Sequence, residues 1–117
     1  MGYSFIDAIP AKTTVLAGES LNVLGGVAST EKAPLALTVR LFGRCGETWK
    51  VLEEQAHVLK PEEHRHLYFT VTPGWFRAAP WDGEAPEEME LIVSDRMPGP
   101  GDTGVLIFKE VRDHYGI

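Results

Sequence analysis

The stretch Leu35-Ala36-Leu37-Thr38-Val39-Arg40-Leu41-Phe42 sets leucine or valine at every second position and interleaves Ala36, Thr38, Arg40 and Phe42. Side chains of an extended chain point alternately to opposite faces, so this spacing gathers four aliphatic groups on one side of a strand. The same residues wound into a helix would be scattered around its circumference. Pro34 starts the segment and Gly43 ends it, as expected of a strand bounded by turn formers.

Reading outward from that strand, the alternation recurs. Ser20 to Ser29 places Leu21, Val23 and Val27 on one face and reads as an inner strand. Its Gly25-Gly26 pair suggests a bulge or the close approach of another backbone. Tyr3 to Ala8 and Thr13 to Leu16 read as one edge strand broken by Pro10, which cannot donate to a ladder. Downstream, Leu67, Phe69 and Val71 alternate with polar neighbours between the turn Lys60-Pro61-Glu62-Glu63 and Pro73-Gly74. Met89, Leu91 and Val93 repeat the pattern, and Val105 to Val111 supplies a last strand after the loop from Met97 to Gly104.

Thr48 to Lys60 fits two periods. Trp49, Leu52, Ala56 and Leu59 are spaced as on an amphipathic helix, and Glu53, Glu54 and Gln55 favour helix. The flanking β segments need a neighbour, which favours two short strands kinked at Glu53-Glu54-Gln55. Seven or eight short strands, with turns every eight to twelve residues or so, predict an all-β, immunoglobulin-like antiparallel β-sandwich forming one domain over residues 1–117.

Composition bounds the function. The chain has 117 residues, 44% of them hydrophobic and 24% charged, the balance of a globular domain with one core. A net charge of −6 with singly scattered Lys and Arg argues against nucleic acid and against an anionic membrane surface as partners. Cys45 is the sole cysteine, so stability rests on the core rather than on an intrachain disulfide. Gly43-Arg44-Cys45-Gly46 reads as a tight turn carrying a tolerated thiol. The N-terminus lacks the basic flank and apolar stretch of a leader, so the chain as written reads as cytoplasmic; a leader already removed would make it exported.

No nucleophile elbow accompanies the serines or the terminal Asp113-His114, and no Gly-Lys-Ser or Gly-Lys-Thr cradle is present, so the chain reads as non-enzymatic, with no cofactor. His57, His64 and His66 are the metal candidates: a hairpin pairing His57 with His66 would align three imidazoles on one face, as Zn²⁺ or Cu²⁺ requires. Without that register they are ordinary outer-face residues. Glu84, Glu87, Glu88 and Glu90 read as a solvated run.

The least ordinary passage runs from Pro73 to Gly83 and carries Trp75, Phe76, Arg77 and Trp81. Indoles in a loop at a sandwich end either plug the core or contact a protein or a sugar ring. The Gly- and Pro-rich loop with Arg96 and Met97 at its start reads as a second presented tip neighbouring the first. Together these residues predict an interaction module that binds a protein partner or itself, with carbohydrate as the alternative ligand.

In its turns the chain resembles bacterial immunoglobulin-like modules of the CARDB and fibronectin type III-like families. The shared features are Leu16-Ala17-Gly18-Glu19-Ser20-Leu21, then Ala33-Pro34-Leu35, then Leu59-Lys60-Pro61-Glu62-Glu63 leading to Leu67-Tyr68-Phe69-Thr70-Val71. The chain is also similar to the bacterial intracellular proteinase inhibitors. The resemblance covers roughly residues 13–110 and implies a fold; it carries over no functional residue.

Overall fold

The computed structural model describes residues 2–15, 20–45, 48–71 and 88–109. Among these residues there are eight strands and no helix: β1 (Tyr3–Pro10), β2 (Thr14–Val15), β3 (Leu21–Ser29), β4 (Leu35–Cys45), β5 (Thr48–Leu59), β6 (His64–Val71), β7 (Glu88–Ser94) and β8 (Val105–Lys109). They form a three-stranded sheet in the order β1-β3-β6 and a five-stranded sheet in the order β2-β8-β7-β4-β5. All pairings are antiparallel except that of β2 with β8.

The alternation read in the sequence becomes one shared interior. Leu21, Val23, Val27, Leu67 and Phe69 of the small sheet and Val39, Leu41, Leu91, Val93 and Ile107 of the large one belong to a single buried cluster. Burying such side chains contributes about 2 kcal/mol each, which favours the two layers over separated strands. Gly25 keeps the layers close: a Cβ there would lie 3.1 Å from the Val93 Cγ2 on the opposite sheet.

Several details differ from the sequence reading. Pro10 does not interrupt one edge strand; it ends β1 in the small sheet, and β2 begins afresh in the large one, paired with β8. The Gly25-Gly26 pair is not bulged, since β3 pairs with β6 without a break. The close approach there is by side chains, Val93 at Gly25 and Ile6 at Gly26. The first strand is the one that bulges, between Ile6 and Ile9. β4 continues past Gly43 to Cys45, paired with β5 on one side and β7 on the other, so Gly43-Arg44-Cys45 is strand and not turn.

Residues 48–59 are one strand and not two. Their register slips at one point: Val51 faces Phe42, Glu53 faces Leu41, and Leu52 is the extra residue. A bulge of this kind inverts the alternation. Trp49 and Val51 therefore share the outer face, whereas Glu53, Gln55, His57 and Leu59 lie on the inner one. One inserted residue in a period-two pattern mimics helical spacing, which explains why Trp49, Leu52, Ala56 and Leu59 read both ways. Opposite the bulge, Phe42 lies on the outer face between Val51 and Ile92, yet it is 1% exposed and separate from the main cluster.

Candidate functional site

The three-stranded sheet is narrower than the five-stranded one, so the two sheets do not meet along every edge. On the β1 side they leave a cleft of about 760 Å³ between β1, the end of β7 and the loop that precedes β8. Phe5, Ile6 and Ala8 form one wall, Leu91 and Val93 the floor, and Arg96 and Met97 stand at the other wall. Met97 is 56% exposed, and the Arg96 side chain is 71% exposed.

The walls of this cleft are fixed by polar bonds. The Tyr3 hydroxyl donates to Asp95 Oδ2 at 2.5 Å, and Arg40 Nη1 donates to the Asp95 carbonyl at 2.7 Å. Sharing a proton with a carboxylate raises the Tyr3 phenol above its ordinary range, with burial adding to the effect. Within the loop, Gly99 N–H donates to Asp102 Oδ2 at 2.7 Å while Asp102 N–H donates to the Gly99 carbonyl at 3.1 Å, a reciprocal closure of the turn. Gly104 cannot carry a side chain, because a Cβ there would lie 2.2 Å from the Leu91 carbonyl oxygen.

The opposite side, between edge strands β5 and β6, is closed. The Tyr68 carbonyl and the Thr70 N–H, which β3 does not use, are taken by β5 side chains: Gln55 Nε2 donates to Tyr68 O at 2.7 Å, and Thr70 N–H donates to Glu53 Oε1 at 3.0 Å. Gln55 Nε2 also donates to Glu53 Oε2 at 2.7 Å. Gln55 Oε1, 2.8 Å from His57 Nε2, is an acceptor only, so His57 carries its proton on Nε2. That leaves His57 Nδ1 to accept from Arg65 Nη1 at 3.3 Å. Burial, and then the charge of Arg65, hold His57 below the ordinary imidazole range. Arg65 is itself anchored to Glu63 at 2.9 Å. Glu63 also accepts from the Lys60 N–H, and these bonds, the Lys60 bond foremost, lower its carboxyl below the usual range.

On the outer face of the large sheet, Arg44 pairs with Glu90 and lies 5.0 Å from the centre of the Trp49 ring. Glu90 accepts in addition from Gly104 N–H at 2.8 Å. The Arg44 bond, then that of Gly104, lowers the Glu90 carboxyl, so this residue is a structural link and not part of a solvated run. Trp49 Nε1 is buried and has no hydrogen-bond partner among the described residues.

These positions sort the residues singled out in the sequence. Arg96 and Met97 stand together at the cleft. Trp75, Phe76, Arg77, Trp81, Glu84, Glu87, Asp113 and His114 lie outside the described residues. The flanks of the aromatic segment are described, however: Val71 pairs with Leu21 and Glu88 with Phe108, whereas the Arg96–Met97 loop leaves β7 beyond Ser94, opposite Arg40. The two loops therefore attach at opposite ends of β7, about 20 Å apart along a seven-residue strand. The three histidines do not converge, because β5 and β6 lie in different sheets and His57 never faces His66. His57 lies within the closed side, and His64 and His66 are exposed on the outer face of β6. Among the described residues no group of three potential ligands is positioned to hold a metal.

The polar ladder of Glu53, Gln55, His57, Glu63 and Arg65 was missed in the sequence. Its signal is period-two polarity at Glu53, Gln55 and His57 ending in Leu59, which looks like a solvent face until the bulge at Leu52 turns it inward. Tyr3 and Asp95, 92 residues apart, carried no local signal.

No protein-family model matches the chain, and no curated protein matches it. Solved structures do resemble it. A β-glucosidase from Erythrobacter marinus is 16% identical with a TM-score of 0.75 over 92% of this chain. A β-glucosidase involved in saponin metabolism from intestinal bacteria is 11% identical with a TM-score of 0.72 over 92%. A β-glucosidase from Listeria innocua is 12% identical with a TM-score of 0.64 over 92%. The chain covers 15% of the first of these proteins and 16% of the other two, so the likeness is one of fold with a small portion of each.

Proposed function

We propose that the chain is an immunoglobulin-like β-sandwich acting as a non-enzymatic interaction module that receives a protein partner, or a second copy of itself, in the cleft beside β1. The strand order supports the immunoglobulin-like reading: β1-β3-β6 facing β8-β7-β4 has the arrangement of strands A-B-E against G-F-C. The cleft supports the binding role. It pairs an apolar floor with an exposed thioether at Met97 and an exposed guanidinium at Arg96, the kinds of side chain that anchor interfaces. Its walls are set before any partner arrives, so association need not order them. This reading rests the contact on Arg96 and Met97 rather than on Trp75, Phe76, Arg77 and Trp81.

Sedimentation of the full chain and of its Met97→Glu and Arg96→Glu variants tests this reading. Self-association, or capture of a defined partner, is expected to be lost in both variants while the thermal midpoint stays within a degree or so. Loss in Trp75→Ala and Trp81→Ala with no change in the cleft variants would return the contact to the aromatic segment. The likeness to a portion of β-glucosidases favours a second reading, in which the module serves a carbohydrate-acting protein and carbohydrate is its ligand.

A further inference from the structure

Away from both sides where the sheets meet, the outer face of the three-stranded sheet holds a saddle of about 360 Å³. Ile9, Pro10, Leu24 and Tyr68 supply its apolar part, and Asn22 and Thr70 its polar part. We propose that this saddle binds a pyranose ring of an uncharged glycan, with Tyr68 as the stacking platform and the Asn22–Thr70 pair gripping two adjacent hydroxyls.

The platform is exposed, and the strand that carries it is held. Tyr68 is 71% exposed although its neighbours Leu67 and Phe69 are core residues. Its backbone faces Leu24 on one side, and on the other its carbonyl is held by Gln55 at 2.7 Å. The Thr70 N–H is held by Glu53 in the same way. A ring mounted on a strand tied from both sides needs no ordering of its backbone on binding. The C–H face of a pyranose is apolar and flat enough to cover a phenol ring, so stacking removes that surface from water.

The polar half has the chemistry of a diol. Because Tyr68 and Thr70 turn their spare backbone groups away from β3, Thr70 and Asn22 form the closer kind of antiparallel pair, with side chains in contact. Thr70 Oγ1 donates to Asn22 Oδ1 at 2.9 Å. This bond leaves the amide hydrogens of Asn22 Nδ2 and the lone pairs of Thr70 Oγ1 available. One sugar hydroxyl accepts from the amide while its neighbour donates to the threonine oxygen. An apolar protein side chain in the same place would leave both groups unpaired, which weakens binding.

None of the residues bounding the saddle carries a charge at neutral pH. A sulfated or uronic sugar would therefore be desolvated with no cation to meet it, so the fit is to neutral sugars. This inference involves neither Arg96 nor Met97 and stands apart from the cleft reading.

The test is an amide-resolved NMR titration of the full chain with cellohexaose, laminarihexaose, mannohexaose and xylohexaose, with oligogalacturonate as the acidic control. At least one neutral oligomer is expected to produce saturable shifts confined to residues 9–11, 22–24 and 68–70, with a Kd of about 1 mM. Tyr68→Ala is expected to weaken it about tenfold, Tyr68→Phe to retain it, and Asn22→Ala to weaken it about fivefold. The acidic control is expected to give no shift. Absence of saturable shifts with all four neutral oligomers at about 20 mM overturns the proposal. So does binding that survives Tyr68→Ala undiminished, or shifts centred on Arg96 and Met97. Should Tyr68→Ala lose its spectral dispersion, Thr70→Ala and Asn22→Ala carry the same decision.

Discussion

Between β5 and β6 the two sheets are joined by a ladder of polar side chains, whereas on the β1 side the Tyr3–Asp95 bond spans them beside a cleft of about 760 Å³. Both sides face the same difficulty, an edge strand with backbone groups that no neighbouring strand takes. At β6 the difficulty is met from across the gap, with Gln55 and Glu53 substituting for a missing strand. At β1 it is met by a bulge between Ile6 and Ile9 and by a chain that leaves for the other sheet after Pro10. The lesson is that a closed edge spends its side chains on stability, while an open one leaves Met97 and the Arg96 side chain, paired with Asp95 at 3.8 Å, exposed to solvent.

The comparison can be broken by substitution. Gln55→Leu removes the bonds to Tyr68, Glu53 and His57 at once, and is expected to cost about 2 kcal/mol in chemical denaturation, the largest effect of the series. On the open side, Tyr3→Phe deletes the bond to Asp95 and is expected to cost about 1 kcal/mol. Met97→Ser, at an exposed position, is expected to change stability by less than about 0.5 kcal/mol. Equal losses at Gln55 and Met97 would erase the distinction between the two sides.

The closed side also has a pH signature. His57 is held neutral by burial and by Arg65, so its folded pKa lies below its unfolded value, near 6.5. The unfolded chain therefore binds the proton more readily. The contribution of His57 is complete above about pH 6.5 and is lost as pH falls through the folded value. Thermal midpoints measured between about pH 8 and pH 5 are expected to fall more steeply for the native chain than for His57→Gln. Parallel slopes would remove His57 from the ladder.

Much of the fold was legible because alternation is a local property. Leu35 to Leu41 and Leu67 to Val71 announce their inner faces without reference to anything distant, and those faces lie in the core or, at Leu35 and Leu37, pack half-buried against it. What failed was whatever depended on register. Leu52 reverses the alternation of β5, so Glu53 and Gln55, read as a kink between two strands, became part of the inner ladder, and His57 was drawn onto the wrong face. The pairing of His57 with His66 assumed a hairpin, but the turn at Lys60–Glu63 carries the chain from one sheet to the other. Arg96 and Met97 were singled out by loop chemistry alone. Tyr68 looked like one more alternating residue, and only the placement of Asn22 and Ile9 beside it gives it a role.

The central claim is that side chains of β5 complete the hydrogen bonding of edge strand β6. Native-state hydrogen exchange at the Thr70 amide tests it most directly. This amide points away from β3, so a free edge would let it exchange as fast as an unprotected loop amide. The account predicts protection close to that of the β6 amides bonded to β3, lost in Glu53→Ala. Rapid exchange in the native chain, or protection unaffected by Glu53→Ala, would contradict it.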